Sequence, residues 1–252
     1  MKEVLELIQK KKEEYAELRF FKFIQDSSID PMKRVSWAPC LIPFAMNFKD
    51  LNALAIREEP TTDPIQEMLN KHTYEDDRHW AWYLSDIEAL GINFPMQFTE
   101  VLKFLWGKET ESTRKLCYKL FALCQLEKDP IIKLVTVTSI EATGVIALTA
   151  LAKLGSDLEQ ITKKKMIYFS NHHLGVETGQ IQGGLSYEAT DEYLHKIELT
   201  EEQKTKACEA VETVFKSFSE SAHELMVYAE KHTMENPFSK MPSTQKLVEM
   251  VA

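Results

Sequence analysis

Apolar residues recur at helical spacing along most of this chain. Residues 2–25 place Val4, Leu5, Ile8, Tyr15, Leu18 and Phe21 on one stripe, which predicts an amphipathic helix. Asp30-Pro31 opens a second helical stretch, which Pro39 and Pro43 interrupt or kink before it resumes toward Ile56. After the linker EEPTTDP, Asp63-Pro64 has the form of an N-cap followed by Pro at the first helical position. The third helix should then cover residues 63–90 and stop at Gly91. Two shorter helices are expected over residues 99–106 and 111–126. Asp129-Pro130 starts one over residues 130–154, with Gly155 as its stop, and Ser156-Asp157 caps the next over residues 157–182, before the Gly183-Gly184 break. KLVTVTSI is β-branched, but EATGVIALTALAKL continues it without a turn, so it is read as a buried helix. A short segment follows around residues 187–195. Thr200, backed by Glu202 and Gln203, opens a long last helix to about His232, and residues 235–252 form a tail of coil and one short helix. The pattern predicts an all-α, single-domain bundle of seven to eight helices over residues 1–252.

Composition narrows the functional classes. Eight Gly and nine Pro in 252 residues are few for a β-rich or loop-rich fold. A net charge of −9 disfavours nucleic acid and anionic membrane as partners. No run reaches ~18 consecutive apolar residues, so no membrane span is expected. The N-terminal MKEVLELIQKKKEEY lacks the apolar core of a signal peptide. Cys40, Cys117, Cys124 and Cys208 have no CxxC spacing and read as reduced thiols of a cytoplasmic protein.

The candidate chemistry lies in two short clusters and one isolated acid. On a continuous third helix, His72, Glu75, Asp76 and His79 share one face, and on a later helix His173, Glu177 and Gln180 do the same. H-x3-D-x2-H thus meets H-x3-E-x2-Q, and two such helices can enclose a cation in a bundle core. Imidazole with carboxylate suits iron, manganese or zinc rather than a thiolate-bound metal. Glu141 is the only acidic residue between Asp129 and Asp157, in strongly apolar surroundings. A buried carboxylate there would take up a proton unless a metal or a basic partner offset its charge. Gly144, Gly175 and Gly179 sit inside predicted helices at a cost of about 1 kcal/mol each against Ala. They would let substrate or dioxygen approach the backbone, or else allow close helix packing. Taken singly, each feature has an ordinary reading: a His and a Glu four apart are usually a surface pair, and Glu141 could pair with Arg or Lys. His172 lies off the ligand face and is expected to be supporting or structural. Trp80, Trp82 and Tyr83 read as core, and His195, His223 and His232 as surface or packing residues.

HTYEDDRHWAWYLSDIEALG, the lone acid in SIEATG, and YFSNHHLGVETGQ together resemble the haem-oxygenase-like dimetal oxidases, a family with a chlamydial relative that associates with death domains. The likeness covers residues 60–185. It implies a haem-oxygenase-like bundle, two iron ions with manganese as the alternative, dioxygen as a reactant, and a small amino-acid-like or fatty-acid-like substrate. A homodimer is the candidate assembly. The family's second-helix histidine matches His79, its mid-helix glutamate matches Glu141, and its H-x3-D/E-x2-H helix matches His173 and Glu177. This chain has Gln180 where the family has its last histidine, and His72 where it has an acid, so either the site is rearranged, with His72, Glu75 or Asp76 filling in, or one metal position is weak or lost. Two metals of unequal affinity are expected. No haem is expected, because the family's haem binders use a first-helix histidine and the first here is His72. The reading is a non-haem dimetal oxidase or oxygenase. The alternatives are a metal-depleted bundle serving as an interaction protein, or an oxidase that consumes one of its own side chains.

Overall fold

Acidic and hydroxyl side chains begin several of the helices, at Asp30, Asp63, Asp129 and Thr200 as the sequence implies. A computed structural model describes residues 1–93, 95–178 and 195–233, together with 246 and 249. In it the Asp30 carboxylate accepts from the backbone N–H of Met32 and Lys33, Asp63 from Ile65 and Gln66, and Asp129 from Ile131. Thr200 and Gln203 exchange side-chain and backbone bonds in a capping box. The helices, in chain order, are α1 (Lys2–Ala16), α2 (Arg19–Gln25), α3 (Pro31–Arg34), α4 (Ile42–Asp50), α5 (Pro64–Asp76) and α6 (His79–Ala89). They continue as α7 (Phe98–Trp106), α8 (Glu111–Leu126), α9 (Pro130–Thr162), α10 (Asn171–Glu177) and α11 (Glu201–Lys231). A 3-10 turn (Ala38–Leu41) precedes α4 and a π-helical turn (Leu51–Ile56) follows it. All regular structure among the described residues is helical.

The long α9 is the axis of the bundle, with α1, α2, α5, α10 and α11 packed against it. Leu134, Val135, Leu151, Leu154 and Leu158 are buried in a core shared with Phe21, Val211 and Leu225. Each such side chain contributes ~1.5–3 kcal/mol on leaving water. α9 is long and apolar enough to cross a membrane by composition alone, but most of it is covered by protein, as a central bundle helix requires. Arg34, fully buried, donates to the carbonyls of Ile24 and Ile29 and to Asp157 Oδ2 at 2.7 Å, tying the α2–α3 segment to α9. Cys40, Cys117 and Cys124 are free and buried, and Cys208 is half-buried.

Three expected boundaries move. The first helix breaks after Ala16, and α2 begins at Arg19. The expected helix over residues 63–90 is two helices, separated at Asp77-Arg78. Arg57 explains that break: it donates to Thr73 Oγ1 at 2.8 Å and to Asp77 Oδ2 at 2.9 Å, a tertiary clamp on the end of α5. The expected stop at Gly155 and the expected helix over residues 157–182 are both replaced. α9 runs on to Thr162, Asp157 pairs with Arg34 rather than capping, and a loop leads to the short α10. Gly155 is required by close approach, because a Cβ there would lie 1.5 Å from the Phe169 carbonyl oxygen. Gly91, with φ +74°, ends the α6 segment as expected. Most of the expected segment around residues 187–195 and almost all of the tail from 235 lie outside the described residues.

Candidate metal centre

α6 opens at His79, and α10 carries His173 and Glu177 one turn apart. The Glu177 Oε1 atom lies 3.1 Å from His79 Nδ1 and 3.2 Å from His173 Nε2. All three side chains are largely buried. A second triad joins the last turn of α5 to the middle of α9: His72 Nε2 lies 3.2 Å from Asp76 Oδ2 and 3.3 Å from Glu141 Oε1. Within each triad the candidate donor atoms lie within 4.8 Å of one another.

The electrostatics join the triads into one centre of three carboxylates and three imidazoles. Burial pushes the Glu141 carboxyl up from the usual 4.5 to about 8, and the Glu177 charge adds to that shift. Burial would also raise Glu177, but hydrogen bonds from His173 and His79 outweigh it and hold this carboxyl well below the usual range. Burial would lower His72, yet the Asp76 and Glu141 carboxylates leave its pKa well above the ordinary value. His79 is likewise raised, with burial overcome by its bond to Glu177.

The donor set fits a metal. Bonds of about 2.1 Å to nitrogen and oxygen put neighbouring ligand atoms about 3.0–3.4 Å apart in octahedral or tetrahedral coordination. The contacts of 3.1–3.3 Å within the triads match that spacing. The His173 tautomer is a sharper indication. Its Nδ1–H donates to the Tyr168 carbonyl at 3.0 Å, because a carbonyl can only accept. In neutral imidazole the Nε2 atom is then a lone pair aimed at Glu177 Oε1, an acceptor facing an acceptor. A second proton on the ring or a cation between the two atoms resolves the conflict. Metal-ligating histidines typically donate their other N–H in this way.

His79, Glu141, His173 and Glu177 line one cavity of about 130 Å³. Its remaining walls are mostly apolar, from residues such as Phe20, Trp37, Phe44, Leu148 and Leu225, and no Lys or Arg among the described residues lines it. Gly144 lines it with nothing within 4 Å of the position of a Cβ, so close helix packing does not explain that glycine.

Side chains outside the triads hold the geometry. Asp86, fully buried one face below His79 on α6, accepts from the backbone N–H of Ile167 and Phe169, both at 2.8 Å. Burial raises its pKa, and those N–H bonds oppose the rise. This carboxylate fastens α6 to the loop before α10, while the same loop lies on Gly155 of α9. Ser170 caps α10 through the His172 N–H.

The structure therefore brings His72, Asp76, His79, Glu141, His173 and Glu177 together. Glu75 is exposed and outside the centre, because α5 turns Asp76 inward in its place. His72 and His79 do not share a helix face: the Asp77-Arg78 break sends them to different triads. Gln180 and Gly179 lie outside the described residues. Sequence reasoning missed Asp86, Tyr168 and Trp82. Trp82, expected in the core, is half-buried and stacks its ring on His79 at 4.4 Å. The available signal was spacing, since Trp82 and Asp86 follow His79 by three and seven residues, the same helix face. His172 packs its ring edge-on to Trp82 at 5.3 Å. His223 is exposed, and His232 stacks on Tyr228.

No protein-family model matches this chain, and no curated protein does. A crystal structure of a domain of unknown function with a haem oxygenase-like fold, from Shewanella denitrificans, matches 96% of both chains with a TM-score of 0.60 and 14% sequence identity. The chain is thus an all-α protein with the haem oxygenase-like fold, with buried His and carboxylate groups that could hold metal.

Proposed function

We propose that this protein is a non-haem dimetal oxidase or oxygenase that uses dioxygen to oxidise a small, largely apolar molecule. The observation that carries the reading is His173: its Nδ1–H is committed to the Tyr168 carbonyl, so its Nε2 faces a Glu177 oxygen at 3.2 Å across a gap that a proton or a cation must fill, and a second His–carboxylate triad lies beside it. His79, His173 and Glu177 would hold one ion, a two-histidine, one-carboxylate set suited to ferrous iron. His72, Asp76 and Glu141 would hold the other; with two carboxylates, this set suits iron or manganese. The unlike donor sets support unequal affinities. Bound metal would supply redox chemistry and Lewis acidity.

The chain's own residues do the rest. The carboxylates offset the cationic charge, the Tyr168 carbonyl keeps His173 in its ligating tautomer, and the apolar walls exclude water. Gly144 leaves room beside Glu141. A cavity near 130 Å³ with mostly apolar walls and no Lys or Arg among the described lining residues favours an apolar chain or ring. A second reading has one specific support: Tyr168 lies 4.7 Å ring to ring from His173, and Tyr15 also lines the cavity, so oxidisable side chains of the protein itself are in reach. Intact mass before and after exposure to ferrous iron and oxygen separates the two.

Elemental analysis after anaerobic reconstitution with ferrous iron tests the main reading. His79→Ala and Asp76→Ala should each lower occupancy, and Glu75→Ala should not. Wild-type protein that retains no metal would end the oxidase reading and favour an interaction protein.

A further inference from the structure

Among the described residues, Trp82 is the one aromatic side chain that touches both imidazoles of the first triad. Its ring stacks nearly parallel to His79 at 4.4 Å and 20°, and meets His173 edge-on at 5.4 Å and 78°. It is not part of the cavity wall, so it is not placed to touch a substrate there. It is only half-buried, and its other neighbour is the half-buried His172. An oxidisable indole thus lies against two candidate ligands on one side and reaches toward solvent on the other.

We propose that Trp82 is an electron relay between the metal centre and the protein surface. The inference rests on the dimetal reading above. In each relay event the indole gives one electron to the oxidised centre and its N–H proton to water. A thiol-class or ascorbate-class donor in solution then returns one electron and one proton to the indole. Dioxygen is the ultimate oxidant. Such a path would let reductant act from outside without entering the cavity, and contact between the rings makes electron transfer between them fast. Packing alone would need an apolar ring there, but not an oxidisable one, which separates the relay from a merely structural role.

The experiment compares wild type, Trp82→Phe and Trp82→Tyr, each loaded with iron and oxidised. Two quantities are read: iron content, and the anaerobic rate of re-reduction by ascorbate, followed with a chromogenic ferrous chelator. Iron content should be equal in all three. Re-reduction should be roughly tenfold slower or more in Trp82→Phe, with partial rescue in Trp82→Tyr. A second measurement needs no variant: wild type is cycled with oxygen under limiting ascorbate, and its tryptophans are mapped by peptide mass spectrometry. Oxidation should fall on Trp82 ahead of Trp106, although Trp106 is 69% exposed. Full iron content with an unchanged rate, or oxidation confined to Trp106, overturns the relay and leaves the dimetal reading standing. Absence of iron from the wild type overturns both.

Discussion

Replacing Glu141 with Gln separates a metal-site carboxylate from a structural one, because the two readings predict opposite signs. In the metal-free protein burial holds the Glu141 carboxyl at about 8 instead of the usual 4.5. At pH 7 the unfolded chain has this group ionised, while the folded chain has it mostly protonated. At ~1.4 kcal/mol for each pH step above the ordinary value, that uptake costs the fold about 3 kcal/mol. Gln is neutral and of similar shape, so it removes the cost. It also weakens the contact with His72 Nε2, now 3.3 Å from Glu141 Oε1, which takes back roughly 1 kcal/mol. Asp76 remains to partner His72. A net gain of about 2 kcal/mol should raise the metal-free melting temperature by about 4–8 °C. Added metal should instead favour the wild type. Ligand at a hundredfold excess over Kd stabilises wild type by about 2.7 kcal/mol, and most of that should vanish in the variant. The assay is thermal unfolding at pH 7 with and without manganous ion, which avoids oxygen chemistry. If the His72–Glu141 pair were a structural ion pair, breaking it would cost about 3–5 kcal/mol and lower the metal-free melting temperature. That result would refute the reasoning.

Gly155→Ala puts a Cβ 1.5 Å from the Phe169 carbonyl oxygen and 2.7 Å from its carbon, so the loop before α10 must move. A loss of about 1–3 kcal/mol or more is expected in thermal unfolding, with weaker metal binding through displaced His173. Asp86→Ala strands the Ile167 and Phe169 N–H groups and should cost about 1–3 kcal/mol for each. Metal titration should show its affinity loss concentrated at the His79–His173–Glu177 position. The pH dependence has a definite sign. His72 and His79 are raised, so their support of the metal-free fold is complete below the ordinary 6.5 and fades as pH rises through their folded values. Glu141 also loses ground as pH rises from 4.5 to about 8, whereas the support from Glu177 is lost only as pH falls through its depressed value. Metal replaces those protons, so the melting-temperature gap between metal-bound and metal-free protein should widen from about pH 6 to about pH 8. A gap that narrows would contradict it.

The sequence alone determined the helical class, most helix starts and the identity of the metal-binding candidates. Helical periodicity and Asp or Thr caps are local signals, and Asp63, Asp129 and Thr200 act as read. Glu141 stood out because an acid in a long apolar run has few uses other than chemistry or a buried pair. Only the tertiary structure decided how those residues divide. The Arg57 clamp on Thr73 and Asp77 breaks what periodicity read as one helix, so His72 and His79 enter different triads. It also decided that Asp76, not Glu75, points inward, since both lay within reach of the same nominal face. Gly155 shows the same limit from the other side: a glycine between two helical patterns reads as a stop, yet here it admits a neighbouring backbone into a helix that continues. Contacts between segments far apart in the chain, such as Asp86 with the loop before α10, have no local signature, and they set the distances on which any metal chemistry depends.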